Sequence, residues 1–227
     1  MKRSKITILL AIVLGMTFHS CLDLEPQDQL GGKNMWTSVN DYKQFANTFY
    51  SWTRDFSSVV YDGTHSDKRS DLITYQSYNE FSRGINSIPS SDANYTDNYK
   101  HIRRTNLLLQ NAEAYAKPED IKQYIGEAYF FRAYSYFDLL QLYGDVIITK
   151  KPLDITDPEM KVKRNDRSEV VDLIIDDLNH AVENLPAFKE LTTEEEGRIS
   201  KEGAQAFLSR VALYEGTWEK YVPSIGY

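Results

Sequence analysis

An all-α fold of stacked antiparallel helix pairs, joined by long irregular loops, is what this chain predicts. Five segments carry apolar residues at spacings of three and four. One of them is apolar around nearly its whole circumference, so neighbouring helices must wrap it. No stretch reads as a convincing sheet. The run from Phe131-Arg132-Ala133 to Tyr143-Gly144 is faintly echoed from Phe207 to Tyr214-Glu215-Gly216. By itself the echo falls short of a repeat, but with the paired helices it predicts a tetratricopeptide-like arrangement.

The first helix is expected from about Val39 to Trp52. Ser38 followed by Asp41 has the form of a capping box, and Val39, Tyr42, Ala46 and Phe49 share a face. The second runs from about Tyr95 to Ala116, with Tyr95, Tyr99, Ile102, Asn106 and Leu109 in register. Pro118 ends it and opens the next. The third, from about Glu119 to Tyr143, is the centre of the domain. Its polar residues Arg132, Ser135, Asp138 and Gln141 form a narrow stripe on an otherwise apolar rod. Gly144 is the expected C-cap, followed by a short extended stretch at Val146, Ile147 and Ile148. The fourth helix spans about Ser168 to Leu185. Val171, Ile174, Ile175, Leu178 and Val182 line one face, and Asp172, Asp176, Asp177 and Glu183 are assigned to water. The fifth runs from Ser200 to about Trp218. Its Gly203, Ala204, Ala206, Ser209 and Ala212 are small enough to let a neighbouring backbone approach. Two stretches break the rhythm, Ser57–Asn94 and Thr149–Arg167, and a loop of the first one's length is usually functional or disordered and rarely idle.

The chain's one cysteine, Cys21, follows a positive n-region (Lys2, Arg3, Lys5) and an apolar run from Ile6 to Met16 that is too short to span a bilayer. Ser20-Cys21 then reads as a bacterial lipoprotein cleavage site, where the thiol is acylated. Phe18 and His19 depart from the usual residues at that site. An ordinary signal peptide or a short anchor is the alternative. A lone cysteine leaves no intrachain disulfide. The acidic, proline-broken Leu22-Asp23-Leu24-Glu25-Pro26-Gln27-Asp28-Gln29 cannot bury apolar surface and is expected to be a tether. Its Asp23, Glu25 and Asp28 also fit an acidic export signal for surface display.

The formal charge is −7, and the three cations before Ser20 leave −10 on the rest. An acidic body argues against nucleic acid and against an electrostatic grip on anionic lipid. Neutral ligands and protein partners remain. His19, His65, His101 and His180 show no metal-ligand spacing. There is no phosphate loop and no nucleophile elbow. The expectation is therefore a non-enzyme with no cofactor and no metal. Asp176-Asp177 and Glu194-Glu195-Glu196 read as solvated faces. Arg132 reads as a satisfied core cation that does not face Asp138, Asn106 as a hydrogen-bonded structural residue, and Tyr214 and Trp218 as packing.

Taken in order, several blocks of the chain resemble the SusD/RagB nutrient-uptake lipoproteins. They are Cys21-Leu22-Asp23-Leu24-Glu25-Pro26, Asp67-Lys68-Arg69-Ser70-Asp71 and Tyr99-Lys100-His101-Ile102-Arg103-Arg104-Thr105-Asn106. The most specific is Glu127-Ala128-Tyr129-Phe130-Phe131-Arg132-Ala133-Tyr134 with Asp138-Leu139 and Tyr143-Gly144-Asp145-Val146. Ser200-Lys201-Glu202-Gly203-Ala204, Arg210-Val211-Ala212-Leu213-Tyr214 and Gly216-Thr217-Trp218-Glu219-Lys220-Tyr221 complete the series. The resemblance implies a tetratricopeptide-like scaffold with an irregular ligand-binding region. It also implies a partner, a TonB-dependent SusC-like outer-membrane transporter, and oligosaccharide or other nutrient ligands. Lipid anchoring would place the chain in the outer membrane, exposed at the surface. Complete members are much longer, and the tail 222–227 departs from them, so a truncated piece is expected.

The expected organisation is a signal peptide at 1–20, an acidic tether at 21–37, a helical domain at 38–221 and a divergent tail at 222–227. Sugars need flat aromatic faces against C–H surfaces and polar side chains for hydroxyls. Tyr75, Tyr78, Phe81, Arg83 and Asn86 offer that mixture, and the resemblance implies that this region contributes to the ligand platform. The same aromatics would equally anchor a long loop, and Asp67, Arg69 and Asp71 read better as a loop-fixing ion pair. A protein-binding helical scaffold and a non-functional fragment are the competing readings.

Overall fold

The computed structural model describes residues 35–54, 80 and 83–222. From Trp36 onward these residues belong to one unit, which contains five α-helices and, among the described residues, no strand. Helix α1 is Val39–Asn47. Its capping box forms as the sequence predicts: the Asp41 N–H donates to Ser38 Oγ at 3.3 Å, and the Ser38 N–H donates to Asp41 Oδ2 at 2.8 Å. The expected continuation to Trp52 is a tighter 3-10 segment, Thr48–Trp52. There the Thr48 hydroxyl donates to the Phe45 carbonyl and the Ser51 hydroxyl to that of Thr48, drawing carbonyls away from a regular helical ladder.

Helix α2, Ala93–Glu113, starts at the cap Asp92, whose Oδ1 accepts from the Asn94 N–H. It ends three residues before Ala116, and the ring of Tyr115 turns onto Tyr42. Pro118 opens a 3-10 turn, Pro118–Ile121, that runs directly into α3, Lys122–Tyr143. Gly144 closes α3 at φ 69°, a left-handed position that costs glycine nothing.

Helix α3 is wrapped on several sides. Phe49, Tyr50 and Trp52 bring their rings against Phe131, and Phe207 reaches Phe130, Tyr134 and Phe137 from the last helix. Half of the polar stripe faces inward too: Arg132 and Ser135 are buried, while Asp138 and Gln141 are partly covered. Helix α4, Arg167–Asn184, starts after Asp166, whose N–H donates to Glu169 Oε2 at 3.1 Å. Val170, Val171, Leu173, Ile174, Leu178 and Ala181 are buried, whereas Ile175 and Val182 are only partly covered. Asp177 does not face water as its acidic neighbours suggested; it is fully buried.

Helix α5 is Lys201–Tyr221, capped by Ser200. Ala204 is buried as expected, but Ala206, Ser209 and Ala212 are exposed, so these three receive no neighbouring backbone among the described residues. Sequential helices pack on one another, α2 on α3, α3 on α4 and α4 on α5. That succession is the tetratricopeptide-like stack expected from the pattern.

Candidate functional site

A concavity lies between the N-terminal half of α2 and the segment after α3. Among the described residues that segment forms no strand, and it carries an isolated bridge, Val146 to Asn165. Two tyrosine hydroxyls take the place of a strand partner. Tyr99 Oη accepts from the Ile147 N–H at 2.9 Å and donates to the Ile147 carbonyl at 2.8 Å. Tyr136 Oη does the same two residues on, accepting from the Thr149 N–H at 2.8 Å and donating to its carbonyl at 3.2 Å. Asn165 Oδ1 accepts the intervening Ile148 N–H. Burial raises the pKa of both tyrosines above the ordinary phenol value, which keeps the donating protons in place.

A buried relay stands behind this wall. Asn106 Nδ2 donates to the Thr149 carbonyl at 2.9 Å and to that of Lys151 at 3.3 Å. Its Oδ1 accepts from Arg132 Nη1 at 2.8 Å. Arg132 then grips Asp177 in a two-pronged bond, 2.8 and 2.6 Å. Burial pushes the Asp177 carboxyl up from its usual value, against the pull of Arg132. Burial also opposes the charge on Arg132, but the carboxylate outweighs it and holds the guanidinium pKa above normal.

Two further ion pairs, one part-buried and one buried, lock the scaffold. Arg198 holds Glu127 at 2.8 and 2.7 Å and also donates to Asn47. Arg167 holds Glu215 at 3.0 and 2.6 Å while lying 4.3 Å over the Trp218 ring.

The cleft encloses about 580 Å³. Tyr95 and Tyr99 of α2 line it together with Ile147, Leu153, Ile155 and Met160 of the facing segment. Tyr95 is held edge-on against Tyr143, whose hydroxyl donates to Asp92 at 2.7 Å. Lys100, Arg103, Lys151 and Glu159 complete the rim.

Of the residues expected to bind ligand, Arg83 and Asn86 lie exposed on the run that leads into α2. Tyr75, Tyr78 and Phe81 lie outside the described residues, as do Cys21, His19, His65, Asp67, Arg69, Asp71, the signal segment and nearly all of the tether and tail. Arg132 and Asn106 are the satisfied core residues the sequence indicated, and Tyr214 and Trp218 pack as expected. Asp138 points elsewhere, pairing with Arg54 and accepting from Asn98. Among the described residues no group of His, Cys, Asp and Glu is arranged to hold a metal, and no helix is long and apolar enough to cross a membrane.

The roles of Asp177 and Glu127 were missed, although a signal existed. Val170, Ile174, Asp177, Leu178 and Ala181 are one helical stripe, and so are Tyr124, Glu127, Ala128 and Phe131. A carboxylate inside such a stripe requires a buried cation. The tyrosine hydroxyls gave no comparable signal, because tyrosine suits a core and a rim alike.

The SusD-like family model described as "Starch-binding associating with outer membrane" matches residues 22–213. SusD-like protein P38 of Formosa agariphila is 27% identical across 96% of this chain and 44% of the relative. SusD-like protein P2 of the same organism is 28% identical across 97% and 45%. The chain thus spans less than half the length of these relatives. A SusD-like protein from Bacteroides fragilis superposes with a TM-score of 0.69 at 27% identity, covering 89% of this chain and 41% of the other. A laminarin-binding SusD-like protein superposes at 0.54 and 30% identity over 60% and 29%. With a match over most of its residues and the same helical stack as its solved relatives, the chain belongs to the SusD-like family.

Proposed function

We propose that this chain is the N-terminal helical part of a surface lipoprotein that binds oligosaccharide and passes it to a TonB-dependent outer-membrane transporter. The observation that carries the reading is the family match over residues 22–213, within a group that includes a laminarin-binding protein. In this reading residues 1–20 direct export, acylated Cys21 anchors the chain, and residues 21–37 tether the helical domain. Tyr75, Tyr78 and Phe81 supply apolar ring faces, while Arg83 and Asn86 supply hydroxyl partners. Support for the last two is their exposure beside α2, where a ligand can reach them.

Affinity electrophoresis of the chain from Cys21 onward, in gels containing laminarin, starch, xylan or mannan, tests this. The reading expects slowed migration in at least one gel and a clear weakening of that retardation when Tyr75, Tyr78 and Arg83 are all replaced by Ala. Undiminished retardation in the triple variant overturns the placement of the platform; normal migration in every gel overturns glycan binding. Copurification of a large β-barrel protein tests the partner. Loss of fatty-acid labelling in Cys21→Ala tests the anchor.

A further inference from the structure

We propose that the cleft between α2 and the 147–160 segment is a separate contact site for a neutral oligosaccharide, an inference that rests on the glycan-binding reading above. Its volume of about 580 Å³ falls within the usual size of small-ligand sites. The rings of Tyr95 and Tyr99, with Ile147 and Met160, offer apolar surface for the C–H faces of sugar rings. Ile155, 92% exposed at the mouth, is a large aliphatic side chain that folding leaves uncovered.

The charges around the cleft decide the ligand class. Each rim cation already faces a carboxylate: Lys100 faces Asp97 at 2.8 Å, Arg103 faces Asp154 at 3.8 Å, and Lys151 faces Glu159 at 2.8 Å and Asp157 at 3.9 Å. An anionic ligand has to displace a carboxylate, and a cationic one has to displace an ammonium or guanidinium. A hydroxyl does neither, since it can accept from Lys151 and donate to Glu159 within the pair. A peptide strand is disfavoured for another reason. The Ile147, Ile148 and Thr149 N–H groups already donate to Tyr99, Asn165 and Tyr136, so the wall has no free edge at these positions to extend. The same bonds, with Asn106 behind them, fix the wall before any ligand arrives and reduce the ordering cost of binding.

The test uses the gels described above with two cleft variants of the chain from Cys21. Tyr95→Ala is expected to weaken retardation about tenfold, with Tyr95→Phe retaining it, because the ring face and not the hydroxyl makes the contact. Lys151→Ala combined with Glu159→Ala should weaken it about fivefold. Both side chains are about half exposed, so this pair variant keeps the test decisive if Tyr95→Ala perturbs packing against Tyr143. If wild-type protein is retarded and the pair variant is retarded equally, the cleft proposal alone falls. If wild-type protein migrates normally in every gel, the glycan-binding reading falls and the cleft proposal with it.

Discussion

Helices α3 and α5 are nearly equal in length, 22 and 21 residues, and both mix aromatic with small side chains. Yet thirteen residues of α3 are buried and only three of α5, namely Ala204, Val211 and Glu215. The difference lies in the surroundings. Helix α3 has α1, α2 and α4 packed around it and Phe207 inserted from α5, whereas α5 packs chiefly against α4. The same residue type therefore means different things on the two helices. Gly126 on α3 is a close approach, since a Cβ there would stand 2.9 Å from Leu185 Cγ and 3.1 Å from Asn184 Cβ. Gly216 on α5 meets no other part of the described residues within 4 Å of that position.

The largest expected break in this contrast comes from the ion pair beneath α3. Asp177→Ala leaves Arg132 buried and uncompensated, and should cost about 3–5 kcal/mol in urea-unfolding free energy. Replacing both partners together, Arg132→Met with Asp177→Leu, should recover most of that loss, because the strain comes from the orphaned charge. A double variant as unstable as the single one would show that the pair itself is required.

Next in size is Gly126→Ala. It should destabilise by about 1–3 kcal/mol, because Leu185 must shift against packed neighbours. A neutral result would mean that the α3–α4 contact is looser than the geometry shows.

A pH series probes the layer covering α3. His101 stacks on Trp52 at 4.1 Å, and Trp52 packs on Phe131. Burial lowers the His101 pKa from 6.5 to about 4. Above pH 6.5 the imidazole is neutral whether folded or unfolded. As pH falls from 6.5 towards 4, the unfolded chain takes up the proton first, so stability declines over that window and the contribution levels off below it. His101→Gln should flatten this part of a melting-temperature profile relative to wild type. Parallel profiles would remove His101 from the account.

The smaller effects belong to α5. Gly216→Ala should add roughly 0.5–1 kcal/mol by relieving the entropic cost of an exposed helical glycine. Leu213→Ser, at a side chain 73% exposed, should stay within about 0.5 kcal/mol of wild type by the same unfolding measurement. A large loss in either would show that the open face of α5 is covered in solution.

Legibility followed the same division. The capping box at Ser38, the glycine stop at Gly144 and the buried character of α3 were readable, because each depends on residues within about two helical turns. The fate of the small residues on α5 was not readable, since smallness permits a close neighbour without supplying one. The cleft was legible only in part. Tyr95 and Tyr99 stood out as an apolar face, but their partnership with the 147–160 segment did not.

The sequence by itself determined, to within about a turn, where helices start and stop, and which helix lies at the centre, because backbone hydrogen bonds and side-chain periodicity are short-range. Tertiary structure decided which charges meet. Arg132 finds Asp177 across 45 positions, Arg167 finds Glu215 across 48, and Glu127 finds Arg198 across 71. It also decided that two tyrosine hydroxyls would stand in for a missing strand. Such pairings rest on distances that exist only once the helices have packed, and a buried charge or an unpaired backbone group then accepts whatever partner the packing brings within reach.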